Sequence, residues 1–176
     1  MATKKKAVTK KAAKAKTTKK SAKKSVAKKT AAAGKGTITY TTSNVFNAPI
    51  AKVWAAATEK KHLVKHFLDD MRGEYKKGKK IGWFWKEWGW MDVEVVNYKK
   101  NKELTVKSPF MMGGKYTVTT RYEIVKRKED GKTIFRIHES GYPKKDLKMA
   151  FMMCEGWSEF HTGIKAYLMG VDLRKG

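Results

Sequence analysis

Apolar positions in the last quarter of the chain recur with a helical period. Trp157, Phe160, His161, Ile164, Leu168 and Val171 fall at i, i+3, i+4, i+7, i+11 and i+14, which sets bulky side chains on one stripe. The spacing predicts one long amphipathic helix over residues 151–175. At 1.5 Å per residue, roughly 20 helical residues reach about 30 Å, so this element needs a broad apolar partner.

The upstream pattern supplies one. Ile38, Tyr40 and Thr42 alternate in a strand that starts near Thr37. Asn47 and Pro49 then read as the cap and first turn of a short helix bearing Ile50, Val53, Trp54 and Ala57. Thr58 is placed to cap a second, with Leu63, Val64, Phe67 and Leu68 inward and Lys60, Lys61 and Lys65 outward. After Gly73 and Gly78 the period becomes two: Ile81, Trp83 and Trp85 face one way, Gly82, Phe84 and Lys86 the other. Gly89 turns the chain into a strand with Met91, Val93 and Val95, and a polar segment from Asn97 to Lys102 reverses it into Leu104 and Val106. Ser108 to Lys115 reads as a loop. Tyr116, Val118, Thr120, Tyr122 and Ile124 mark the next strand, and Asp130-Gly131 is a hairpin turn into Thr133 to Glu139. The predicted fold class is α+β: a curved antiparallel sheet of about six or seven strands, two short helices, and a long C-terminal helix gripping the concave face. A sheet and helix that do not touch everywhere leave a cavity between them.

Charge adds a second region. The net charge is +25, and 14 of the 41 basic residues but none of the 16 acidic ones lie in residues 1–36, which leaves +11 on the rest. Val8 and Val26 are the only large aliphatic residues there beyond Met1. Such a segment cannot bury enough surface to offset its ordering entropy, so residues 1–36 are expected to be a disordered tail and residues 37–176 the folded domain. Lys10, Lys11, Lys19, Lys20, Lys23, Lys24, Lys28 and Lys29 come in pairs, a composition similar to linker-histone-like and bacterial histone-like tails. Closely spaced ammonium groups displace counterions from phosphates, which predicts non-specific nucleic-acid binding that weakens steeply with salt. Another polyanion, an anionic membrane surface, or a purely solubilising role are the alternatives. Further Lys clusters lie at 76–80, 99–102, 126–128 and 144–148, all on predicted turns, and would form a basic rim continuous with the tail if those turns gather at one end. One cysteine, Cys154, rules out an internal disulfide and fits a reducing compartment; with no apolar run of transmembrane length, a cytoplasmic location is expected, with nucleoid or chromatin association if the tail binds nucleic acid.

A family resemblance rests on three stretches. The run Asn47 to Thr58, centred on Val53-Trp54, is followed by Gly89 to Val96 with Leu104, and then by Gly156-Trp157 opening a helix to Leu173-Arg174. In this order they resemble the C-terminal domain of activators of the heat-shock protein 90 ATPase, within the START/SRPBCC superfamily. The resemblance covers about Thr37 to Arg174. Phe67 stands where that family usually brings a Trp, and the Lys-rich tail lies outside its pattern. The likeness implies a helix-grip fold with a ligand cavity or a chaperone ATPase as partner.

No motif supports catalysis, and no cofactor or metal is implied. Cys154 and His161 are separated by about 10.5 Å along one helix, too far for a nucleophile–base pair. His62 and His66 have a metal-compatible spacing but no third ligand. The expected ligand-pocket residues are Trp83, Trp85, Met91, Met111, Tyr122, His138, Met153, Trp157, Phe160 and His161; core packing is the alternative for the aromatic members. Met112, Met149 and Met152 would add pliable lining. One of His138 and Glu139 is expected to enter the cavity as a polar anchor. Three functions follow: a non-enzymatic domain that binds a small hydrophobic ligand or a protein partner, with the tail on nucleic acid; a co-chaperone-like ATPase modulator; or a small cyclase- or hydrolase-like enzyme, which requires a polar pair facing a closed pocket.

Overall fold

A computed structural model describes residues 36–109 and 115–175. The Lys pairs of the N-terminal segment, together with Met111 and Met112, lie outside the described residues. Ten main elements follow in order: β1 (Thr37–Phe46), α1 (Ile50–Thr58), α2 (Lys60–His66), β2 (Asp70–Arg72), β3 (Lys80–Trp85), β4 (Gly89–Lys99), β5 (Glu103–Pro109), β6 (Thr117–Lys126), β7 (Thr133–Pro143) and α3 (Leu147–Leu168). The seven strands form one antiparallel sheet in the order β1-β7-β6-β5-β4-β3-β2. The helix-grip arrangement predicted from the alternation is therefore present, with β2 as a short edge strand that the pattern did not mark.

Strand parity decides what faces α3. On β7, Phe135, Ile137 and Glu139 are buried, whereas Arg136 and His138 point to the opposite face. On β3, Ile81 and Trp83 are buried on the α3 side, and Gly82 lies beneath Arg72 and Trp90 on the other. Gly141 adds the extra residue of a bulge where β7 pairs with β1. Its φ of +115° and the 2.4 Å from an added Cβ to the Thr117 carbonyl admit only glycine.

Several helix boundaries differ from the sequence expectation. Pro49 itself caps α1, its carbonyl accepting from the Lys52 and Val53 amides at 3.0 and 3.2 Å. Thr58 does not cap α2; its hydroxyl donates back to the Trp54 carbonyl at 2.7 Å. The closing helix begins at Leu147 rather than Phe151, so Gly156 lies inside it and does not open it. It ends at Leu168, because Gly170 adopts φ +76° and the Val171 amide bonds back to the Ala166 carbonyl. Val171 is consequently 50% exposed and leaves the stripe. Beyond it Arg174 returns to α2, donating to the Val64 and Leu68 carbonyls at 3.0 and 2.8 Å and to Asp69 at 2.6 Å. A guanidinium on these last carbonyls satisfies the helix terminus and complements its dipole.

The core lies between α3 and the sheet. Phe160 is its hub, with ring centroids 4.3 Å from Phe67, 5.7 Å from Trp157, 6.1 Å from Tyr122 and 6.4 Å from Phe135. Gly163 lets α2 approach closely, since an added Cβ would stand 3.2 Å from the His66 carbonyl. The basic turns divide between the two ends of the sheet. Those at 76–80, 99–102 and 126–128 share one end, while Lys144, Lys145 and Lys148 lie at the other, beside the start of β1. Three of the four clusters thus lie at one end and the fourth at the other, so the basic turns do not all gather at a single end.

His161, 2% exposed, sits in this core against Phe46 and Phe135, its Nε2 3.2 Å from Thr42 Oγ1 and its Nδ1 without a partner among the described residues. Burial pushes its pKa down to about 4, so the folded protein keeps it neutral. A folded-state value below the unfolded one gives a contribution present above about pH 6.5 and lost as pH falls to about 4, worth roughly 3 kcal/mol at most. Urea unfolding at pH 7 and pH 4.5 will show wild type losing more stability than His161→Phe; equal losses would refute a buried neutral imidazole.

Candidate ligand-binding site

α3 covers the sheet unevenly. Over Trp157, Phe160 and Ile164 its side chains meet the strands directly, but towards its N-terminus the helix and the β3–β4 hairpin stand apart. The space between them is a groove of about 560 Å³. Its floor is aromatic, since Phe67 packs edge-on to Trp85 at 5.5 Å and lies 6.0 Å from Trp157. Met91, Met152 and Met153 supply pliable walls. Trp88, 55% exposed on the hairpin, leans on Trp85 at 6.1 Å and forms one lip. Gly156 faces this space: an added Cβ would meet nothing within 4 Å. Glycine inside a helix costs about 1 kcal/mol relative to alanine, and no close approach at this position requires it.

Polar groups are few and specific. At the rim, Asp69 accepts from the Lys86 amide and from Arg174, and these bonds hold its carboxyl below the usual range, the Lys86 amide contributing most. Deeper in, His66 bonds through Nε2 to the Ala56 carbonyl at 3.0 Å, and burial lowers its pKa, which keeps the ring neutral. His66 Nδ1 and Trp157 Nε1 are buried without partners among the described residues, an acceptor and a donor beside the groove. Unmet buried polar atoms favour any occupant that bonds them.

Six of the ten expected pocket residues, Trp83, Trp85, Met91, Met153, Trp157 and Phe160, line this groove. Tyr122 lies behind the lining, edge-on to Trp157 at 5.9 Å. His161 is on the far side of the core. His138 is corrected outright: it stands on the outer sheet face, bonded to Thr41 at 2.9 Å and Glu123 at 3.1 Å. Glu139 is the member of that pair that turns inward. Met149 packs with Val118 and Tyr142 in a separate cluster. His62 bonds Tyr167 at 2.6 Å, and no group of three metal-ligating side chains occurs among the described residues. The sequence pattern does not mark Phe67, Trp88 and Gly156 as site residues: Phe67 has the spacing of ordinary helix core, and glycine carries no chemical signal of its own.

Comparison with known proteins places this geometry in a family. No curated protein matches the chain by sequence. Among solved structures, a Mesorhizobium loti protein superposes with a TM-score of 0.67 at 19% identity, covering 77% of this chain and 100% of its own. A Staphylococcus saprophyticus protein gives 0.62 at 17%, covering 77% and 96%. The Aha1 dimer from Colwellia psychrerythraea gives 0.61 at 19%, covering 79% and 99%. At these identities the likeness is one of fold. The model of the Activator of Hsp90 ATPase homolog 1-like protein family matches residues 47–169, from the entry to α1 through the end of α3, and the chain belongs to that family.

Proposed function

We propose that the folded domain is a non-enzymatic binding module that takes a small apolar molecule into the groove between α3 and the β3–β4 hairpin. The observation that carries this reading is a hollow of about 560 Å³ walled by Trp85, Phe67 and methionines, with a glycine where a side chain would fill it. Its size falls in the usual range for small-molecule sites, roughly 300–1,000 Å³. The Lys-rich residues 1–36 would hold the protein on nucleic acid or another polyanion through counterion release.

Two other readings are less well supported. Modulation of a heat-shock protein 90 type ATPase, the activity in the family's description, needs a protein-facing surface, and no observation among the described residues favours it over the groove. An enzyme needs a polar pair facing a closed pocket. Glu139 and Tyr142 do line a small chamber, but the Tyr142 hydroxyl donates to the carboxylate, and the chamber holds only about 30 Å³. That space suits a head group, not a reacting substrate.

Nile red, a neutral apolar probe, will bind the wild-type chain with fluorescence enhancement. Gly156→Phe will weaken it by about tenfold or more, and Gly156→Ala will raise thermal stability by about 0.5–1 kcal/mol. Undiminished dye binding by a folded Gly156→Phe protein would sink the groove. For the N-terminal segment, deletion of residues 1–36 will abolish most affinity for duplex DNA and flatten its salt dependence; an unchanged salt slope would place the nucleic-acid contact elsewhere.

A further inference from the structure

Behind the groove the chemistry changes. A chamber of about 30 Å³ lies between the ends of β5, β6 and β7 and α3. Trp83, Met91, Met153 and Trp157 line both spaces and so form the wall between them. Two of these four are unbranched thioethers, which change rotamer at little cost, so a ligand in the groove can reach through.

Beyond that wall stands a buried carboxyl group. Glu139, 2% exposed, accepts from Tyr142 Oη at 2.7 Å, from Thr120 Oγ1 at 2.9 Å and from the Tyr40 hydroxyl. Burial, followed by the charge of Glu139, pushes the Tyr40 and Tyr142 hydroxyls well above their ordinary range, so both stay protonated and donate. A carboxylate offers about four acceptor sites, and three donors leave capacity on the oxygen that Thr120 shares. No cation pairs with Glu139 among the described residues. Among the described residues only hydroxyl groups meet this carboxyl, in a place where water is nearly excluded and a cationic partner would complement it.

We propose that this chamber recognises a primary ammonium group, and that the ligand class of the groove is a small apolar amine whose body lies between α3 and the β3–β4 hairpin. The proposal extends the groove reading and depends on it. The three N–H donors of an ammonium match the oxygens of Glu139, Thr120 and Ser108, all of which line the chamber. Trp83, Trp157 and Tyr142 supply the aromatic surroundings in which a desolvated cation is held. The volume admits a group about the size of one water, so a quaternary trimethylammonium head does not fit.

Calorimetric titration of the full chain with phenylbutylamine, phenylbutanol, phenylbutanoate and the trimethylammonium analogue tests this, in about 0.3 M salt to screen the Lys-rich segment. The amine will bind about tenfold or more tighter than the alcohol, and the acid and quaternary analogue will bind weakest. Glu139→Gln will cost the amine about tenfold or more while leaving the alcohol within about twofold. Equal binding of amine and alcohol, unaffected by Glu139→Gln, overturns the ammonium site and leaves the groove standing. Absence of binding by all four overturns both. Should Glu139→Gln fail to fold by circular dichroism, the ranking of the four ligands on the unchanged chain decides alone.

Discussion

The packing of one long helix on a curved antiparallel sheet is the constraint from which the rest of this domain follows. A 22-residue helix can hold its apolar stripe against such a sheet over only part of its length. Here the full contact is centred on Phe160, where rings from the residue after α2 and from β6, β7 and α3 meet. On the side that faces the β3–β4 hairpin a gap opens where α3 carries Gly156, Met152 and Met153 instead of large rigid side chains, while on the other side Ala150 still packs with Val118 and Tyr142. The groove is thus a consequence of where the bulky residues stop.

The same division separates fixed from adaptable parts. Arg174 ties the chain after α3 to the carbonyls of Val64 and Leu68, and Gly163 brings α2 against the helix, so the C-terminal half of α3 is anchored on two sides. The N-terminal half has no side-chain cap and exposes Leu147, Phe151 and Met152. Rigidity behind the site and pliable thioethers around it give a hollow that keeps its position while its walls adjust. Glu139 marks the inner limit of that hollow, held in place by hydroxyls from three different strands.

Much of this was legible from residue spacing. Period-two alternation placed Ile81, Trp83 and Trp85 on one face of β3, and Asp130-Gly131 gave the β6–β7 hairpin, because parity and a positive-φ turn residue act locally. The start of α3 was hidden for a physical reason: no capping side chain marks it, and Lys144 to Lys148 look like solvent-facing loop. Its end was overrun because Val171 continues the helical period by position, although Gly170 breaks the backbone. Glu139 could have been chosen over His138 by trusting the parity of Phe135 and Ile137; a charged residue at an apolar position is easily discounted. The hollow at Gly156 was not legible, since an unfilled space depends on every surrounding element at once.

Indole N–H resonances offer the most direct check on the groove, because the six tryptophans sit at known and different places around it. Titration of isotopically labelled full-length chain with a neutral apolar ligand such as phenylbutanol should move the signals of Trp83, Trp85 and Trp157, which line the groove, and leave Trp54 in the core and Trp90 on the opposite sheet face unchanged. Shifts confined to Trp90, or no shift at any indole under saturating ligand, would contradict the account.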